Sequence, residues 1–261
     1  MDYQRLANVI KSDGYILIKN YFDNQEVEII QNSAHILKEL PEITGGYMKY
    51  YENTSTNEKD KRILSRIENF TYDNQVTELK EKIIDKVSKT LQDIMSENMN
   101  LFKDKINWKL PGGGKFKPHQ DFEAWSDFPP KNFMSCAIFV DNCTKENGCL
   151  EMVQGENNKG ILKNDNGCID EEVVNSMKWN PILSTKRDLV IFDAFVPHRS
   201  DKNNSNSSRR IIYLTYNKEE EGNHYKDYFI KKREELPPDF ERITTTKINI
   251  NSKYNLANPI S

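Results

Sequence analysis

The sequence predicts a mainly β fold with flanking helices, built as a sandwich or a closed barrel. Three observations carry that expectation. From about Lys105 to Tyr216 the hydrophobic period is two, as in a strand that shows alternate residues to opposite faces. The β-like runs in that stretch are short and separated by polar turns such as Glu146-Asn-Gly148. On either side of it the spacing turns helical.

Taken in order, Gly14 to Phe22 is β-rich, and Asp23 or Asn24 caps a helix running to about Leu40. Thr54 to Arg62 is charged and polar, the composition of a surface loop. Asn74 to Asn98 returns to helical spacing, with Val76, Leu79, Ile83, Val87 and Leu91 on one apolar face. Lys105 to Leu110 then alternates. Ile106, Trp108 and Leu110 share one face, and Lys105, Asn107 and Lys109 the other. Pro111-Gly-Gly-Gly114 breaks this strand, and further β-like runs follow at 133–140, 149–153, 189–192 and 209–216. Beyond Tyr216 the chain is helical and charged, with Pro237-Pro238 as a stop. The 261 residues read as one domain: 1–103 a mainly helical N-terminal support, 104–216 the β core, and 217–261 a helical or irregular extension.

Composition excludes several classes of function. Charged residues reach 30% with both signs mixed, and the net charge is −3, so there is no basic field for nucleic acid. No run of roughly 18 apolar residues exists to span a membrane, and the N-terminus lacks the apolar core of a secretory signal. The four cysteines show no C-x-x-C spacing and read as reduced thiols of a cytoplasmic protein. No feature of the pattern specifies an oligomeric state.

With four histidines, each can be weighed. His35 lies in the early helix and His224 in a charged segment; both read as structural or surface residues. His119 and His198 fall where a β run meets a turn. His119-Gln-Asp121 is an H-x-D, weak alone, but strand alternation would point both side chains the same way. With His198 as third ligand the set becomes two imidazoles and a carboxylate, which leaves positions open on Fe(II). Arg209 follows His198 by eleven residues, across a polar, turn-rich segment. A hairpin of that length would return its guanidinium beside His198, where it could grip a dicarboxylate bidentately, with Ser200 on the same face. A surface Arg on an edge strand is the plain alternative.

Together these residues resemble the phytanoyl-CoA dioxygenase superfamily of Fe(II)/2-oxoglutarate oxygenases. The resemblance rests on His119-Gln-Asp121, His198-Arg-Ser200 and Arg209. Gly14-Tyr-Ile-Leu17 resembles the family's N-terminal strand and Glu146 to Met152 its central hairpin. Lys105 to Lys109 and His119 to Trp125 are also similar to the ectoine hydroxylase branch. The resemblance implies a double-stranded β-helix (jelly-roll), with His119, Asp121 and His198 as metal ligands and catalytic centre. It implies 2-oxoglutarate and O2 as cosubstrates, with Lys109, Ser200 and Arg209 holding 2-oxoglutarate. Lys109 as a solvent-facing residue remains open. Two departures, Val153-Gln-Gly-Glu-Asn157 and Arg187-Asp188, bear on loop shape and not on ligands. Related halogenases replace the carboxylate with a small residue, so Asp121 points to hydroxylation.

For the small-molecule substrate, Asn107 and Lys105 would line the pocket, while Trp125 is a lid, a substrate wall or a core residue. Lys105, Lys109, Lys115, Lys117, Arg199 and Arg210 favour an anion. The segment from Tyr213 to Arg242 resembles hydroxylases of organophosphonates such as 2-aminoethylphosphonate. Alternatives are hydroxylation of an ectoine-like osmolyte or secondary metabolite, a non-catalytic jelly-roll binding 2-oxoglutarate or metal, and an interaction domain.

Overall fold

The computed structural model describes residues 1–53, 62–242 and 252–255. Helix α1 (Tyr3–Asp13) leads into strand β1 (Tyr15–Ile18), then α2 (Asn24–Glu39), β2 (Met48–Asn53) and β3 (Arg62–Glu68). Short 3-10 and π turns run into α3 (Asp85–Met95), followed by β4 (Met99–Lys109), β5 (Phe116–His119) and α4 (Phe122–Trp125). Next come β6 (Phe133–Phe139), β7 (Leu150–Val153), β8 (Asn164–Asp165), β9 (Cys168–Ile169), α5 (Glu171–Ser176) and β10 (Trp179–Pro181). The chain continues through β11 (Leu189–Asp193), β12 (His198–Ser200), β13 (Arg209–Lys218) and α6 (Tyr225–Glu235).

The strands form two antiparallel sheets. One has seven strands in the order β1-β11-β6-β13-β4-β3-β2, the other six in the order β10-β7-β12-β5-β9-β8. Alternation sorts the seven-stranded sheet into two faces. Ile106, Trp108, Cys136, Ile138, Leu189, Ile191, Ile212 and Leu214 pack against α1, α2 and α3. Ala137, Phe139, Val190, Phe192 and Ile211 point the other way and meet Leu150 and Met152 of the six-stranded sheet. Burying each of the larger of these side chains contributes about 1.5–3 kcal/mol. The second helical segment buries Val76, Leu79, Ile83, Val87 and Leu91, as its spacing predicts.

Local chemistry fixes the ends of the supporting helices. Asp23 caps α2 in a reciprocal box with Glu26, a device worth about 1 kcal/mol. Gly14 ends α1 at φ +84°, and a Cβ there would sit 2.6 Å from Val196 Cγ2. The tight packing of the first strand against the β11–β12 link therefore requires glycine.

The structure departs from the sequence expectations in three places. Residues 1–103 carry β2, β3 and the start of β4 as well as helices. Apolar alternation does not reveal β3, because its inward side chains, Arg66 and Glu68, are buried charges. Of the expected 54–62 loop, 54–61 lie outside the described residues and Arg62 opens β3. The link from β12 to β13 is no hairpin but crosses from one sheet to the other, as does that from β6 to β7. No helix among the described residues is long and apolar enough to cross a membrane.

Candidate active site

β5 and β12 are neighbours in the six-stranded sheet, and His119 and His198 are register partners with ring centroids 4.1 Å apart. Asp121 joins them, but not by strand alternation. The strand ends at His119, and Asp121 has helical backbone angles (φ −62°, ψ −31°) at the start of α4. Gln120 pins this turn, donating to the Gly160 and Phe195 carbonyls and accepting from Leu162 N–H. Asp121 Oδ1 then lies 3.7 Å from His119 Nε2 and 3.8 Å from His198 Nε2.

The donor set suits a divalent metal. The three ligand atoms lie within 4.8 Å of one another, and all three residues are buried. Each Nδ1 faces a backbone carbonyl, Lys117 O at 2.7 Å and Val196 O at 3.0 Å. A carbonyl only accepts, so each Nδ1 carries the proton and each Nε2 offers its lone pair inward. Burial, reinforced by His198, pushes the His119 imidazole down to about 3, so it is neutral and ready to bind. Burial opposes ionisation of Asp121, but His198, Lys105, His119 and Lys103 outweigh it and hold the carboxyl below its usual range.

Two lobes open from this cluster and share Lys105, Phe116, His119 and Asp121 as a common wall. The first is lined by Asn107, Ser200, Arg209 and Tyr213. Arg209 is 1% exposed, and among the described residues its Nε and Nη1 have no hydrogen-bond partner. Its Nη2 donates to Ser200 Oγ at 3.4 Å. Lys109 donates to Ser200 Oγ at 2.7 Å and to the Asp201 carbonyl. Burial and the charge of Arg209 push its ammonium down to about 6. Gly148 (φ +74°) lets that carbonyl in: a Cβ there would lie 2.2 Å from Asp201 O. A buried guanidinium with N–H groups left over costs free energy until an acceptor meets it, so this lobe suits an anion.

The second lobe is lined by Arg66, Lys103, Trp125, Tyr228 and Tyr254. Lys103 and Lys105 extend the inward face of β4, and Arg66 reaches in from β3, paired to Glu68 at 2.7 Å. Glu68 also binds Lys232 of α6. Burial would raise the Glu68 carboxyl, but Lys232, Arg66 and Lys103 hold it down at about 2. Lys103 donates to Tyr228 Oη at 3.1 Å and lies over the rings of Trp125 and Tyr228. Trp125 is buried and packs on Phe102 and Phe133.

Of the six cations picked out in the sequence, only Lys105 and Lys109 turn their charge toward this space. Lys115 and Lys117 are exposed, Arg199 pairs with Glu151, and Arg210 pairs with Asp141. Arg66 and Lys103 were missed. Lys103 lies one strand step before the Lys105–Lys109 series, and this was its only signal. His35 is exposed and His224 caps α6; neither belongs to the site.

The fold is shared with EctD from S. alaskensis, solved with 2-oxoglutarate and 5-hydroxyectoine. The two align with a TM-score of 0.66 at 20% identity, covering 82% of this chain and 75% of that one. The chain is 36% identical to a 2-aminoethylphosphonate dioxygenase from uncultured bacterium HF130_AEPn_1, over 96% of its own length and 95% of the relative's. It is 38% identical to a methylphosphonate hydroxylase from Gimesia maris, over 59% of this chain and 57% of the other. The family model for phytanoyl-CoA dioxygenase (PhyH) matches residues 10–211, a stretch that holds all three clustered ligands and Arg209. By that match, and by likeness to a dioxygenase along nearly its whole length, this chain belongs to the phytanoyl-CoA dioxygenase family of enzymes.

Proposed function

We propose that the enzyme is an Fe(II)- and 2-oxoglutarate-dependent hydroxylase of a small alkylphosphonate, acting at the carbon bonded to phosphorus. 2-Aminoethylphosphonate is the first substrate to test. The carrying observation is the pair of cation-bearing lobes that meet at His119 and Asp121. One anion, 2-oxoglutarate, accounts for the first lobe; the second calls for another.

In this reading His119, Asp121 and His198 hold iron, and the two sheets form the jelly-roll typical of such oxygenases. When bound, the iron supplies O2 activation coupled to oxidative decarboxylation of 2-oxoglutarate to succinate. Arg209 and Ser200, with Lys109 beside them, take the distal carboxylate of 2-oxoglutarate and fix its orientation. Lys105, common to both lobes, and Trp125 line the substrate's side, where burial keeps water out and the substrate carbon in place, whereas Asn107 lines the lobe assigned to 2-oxoglutarate. The names of the two phosphonate-acting relatives support the substrate class. A reducing cytoplasmic setting suits the four free thiols.

The test is succinate release, coupled to phosphorus NMR of the product, across phosphonates, ectoine and acyl-CoA esters. A phosphonate should raise succinate formation above the substrate-free background and yield a hydroxyl next to phosphorus. If another class does so while no phosphonate does, the substrate reading fails.

A further inference from the structure

We infer that Lys103, held by Tyr228 of α6, reads the substrate's oxyanion and selects a doubly charged phosphonate over a carboxylate. The inference rests on the proposed phosphonate chemistry and assigns the group that recognises it.

Lys103 is 5% exposed, and its hydrogen bond among the described residues goes to the Tyr228 hydroxyl, not to a carboxylate. The faces of Trp125 and Tyr228 surround its ammonium at 5.1 and 5.0 Å. An ammonium enclosed this way, with donor capacity to spare, awaits an acceptor from outside the chain. The charge count names its valence. Arg66, Lys103, Lys105 and Lys232 set four basic groups around Glu68, and a bound anion would hold their ammonium groups in the protonated form, while Asp121 is committed to the metal cluster. One carboxylate leaves a surplus that a phosphonate dianion offsets more completely than a second carboxylate could.

The supports of Lys103 lie outside the stretch that the family model matches. The family model ends at residue 211, whereas Tyr228 and Lys232 belong to α6 beyond it. The stretch common to the family carries the triad and Arg209, and the helix outside the match completes the second lobe. Lys232 fixes Glu68, and Glu68 aligns Arg66, so α6 sets the geometry of two of the lobe's cations.

The experiment is a phosphorus NMR titration of anaerobic, iron-loaded protein plus 2-oxoglutarate with methylphosphonate, and a competition titration with propionate. Wild type should bind methylphosphonate about tenfold or more tightly than propionate. Lys103→Met should lose about 30-fold or more of that affinity, while 2-oxoglutarate affinity stays within about twofold. Tyr228→Phe keeps the ring and removes the hydroxyl, and should lose about five- to tenfold; it decides the matter if Lys103→Met does not fold. Unchanged methylphosphonate affinity in a folded variant overturns this assignment alone. So does equal binding of propionate, or a parallel loss of 2-oxoglutarate affinity. Failure of wild type to bind any phosphonate overturns the proposed function itself, and this inference with it.

Discussion

Lys109 and Arg209 stand directly opposite each other on the antiparallel strands β4 and β13, two buried basic side chains aimed between the sheets. Like charges in that relation destabilise a strand pair. The lowered proton affinity of Lys109 records the strain, with burial as its larger cause. An arriving dicarboxylate relieves both costs. At 100 times its Kd, 2-oxoglutarate should stabilise the protein by about 2.7 kcal/mol, a Tm rise of roughly 5–10 °C. A thermal melt with and without the ligand checks this, and the absence of a shift counts against the first lobe as its site.

Arg209→Ala should raise the KM for 2-oxoglutarate by about 30-fold or more, the consequence of leaving a buried carboxylate without its charged partner. Arg210 points to the opposite face and pairs with Asp141. Its replacement by Ala removes a partly exposed ion pair and should shift that KM by less than about threefold. Equal effects in steady-state kinetics would mean the strand register assigns the wrong arginine.

His119→Ala and His198→Ala should each abolish Fe(II) binding and bring succinate formation to background, since two ligands hold the ion too loosely. Metal content after desalting and succinate yield are the readouts. Wild-type activity in either variant removes that residue from the ligand set.

Glu68→Gln should be costly to stability. It strips the carboxylate paired with buried Lys232, and breaking such a pair costs about 3–5 kcal/mol, or roughly 6–20 °C in Tm. Calorimetry of the variant measures it, and a loss below about 1 kcal/mol would show that the pair is not load-carrying in the fold.

The ligand-free protein should gain stability as pH rises from about 7 to 8.5. Lys103 is pushed down to about 7 by burial and by Lys105 and Arg66, against the pull of Glu68 and Asp121. The unfolded chain holds that proton up to about 10.5, so over this window it binds more protons than the folded chain, and stability rises with pH. Above it the buried thiols of Cys136 and Cys143, raised by burial, begin to oppose the trend. Lys109, pushed down to about 6, acts in the same direction, so urea midpoints should climb in wild type and climb less steeply in Lys103→Met; parallel profiles would assign the effect elsewhere.

The cluster that could hold a metal was legible because it sits in short sequence motifs. His119, Asp121, His198, Ser200 and Arg209 converge as expected, and alternation in β4 correctly turned Lys109, Asn107 and Lys105 inward. What failed was the backbone route. Asp121 arrives through a helical turn and Arg209 through a crossing between sheets, and neither path leaves a local signature. Arg66 escaped notice for a different reason. Its strand looks like a solvated segment, because the charges it hides are matched by Glu68 and by residues more than thirty positions away.

The place of β13 has a consequence for how this protein is made. Among the described strands it is the last synthesised, yet it lies at the centre of the seven-stranded sheet, between β6 and β4. Until it leaves the ribosome, β6 and β4 each present an unpaired apolar edge, and β1 waits for β11 some 170 residues downstream. Such delayed, long-range pairing slows folding and exposes edges to other chains. The nascent chain should therefore depend on chaperones through most of its translation, and a ribosome stalled before Arg209 would carry all six strands of the smaller sheet, with His119 and His198, beside a larger sheet still open at its centre.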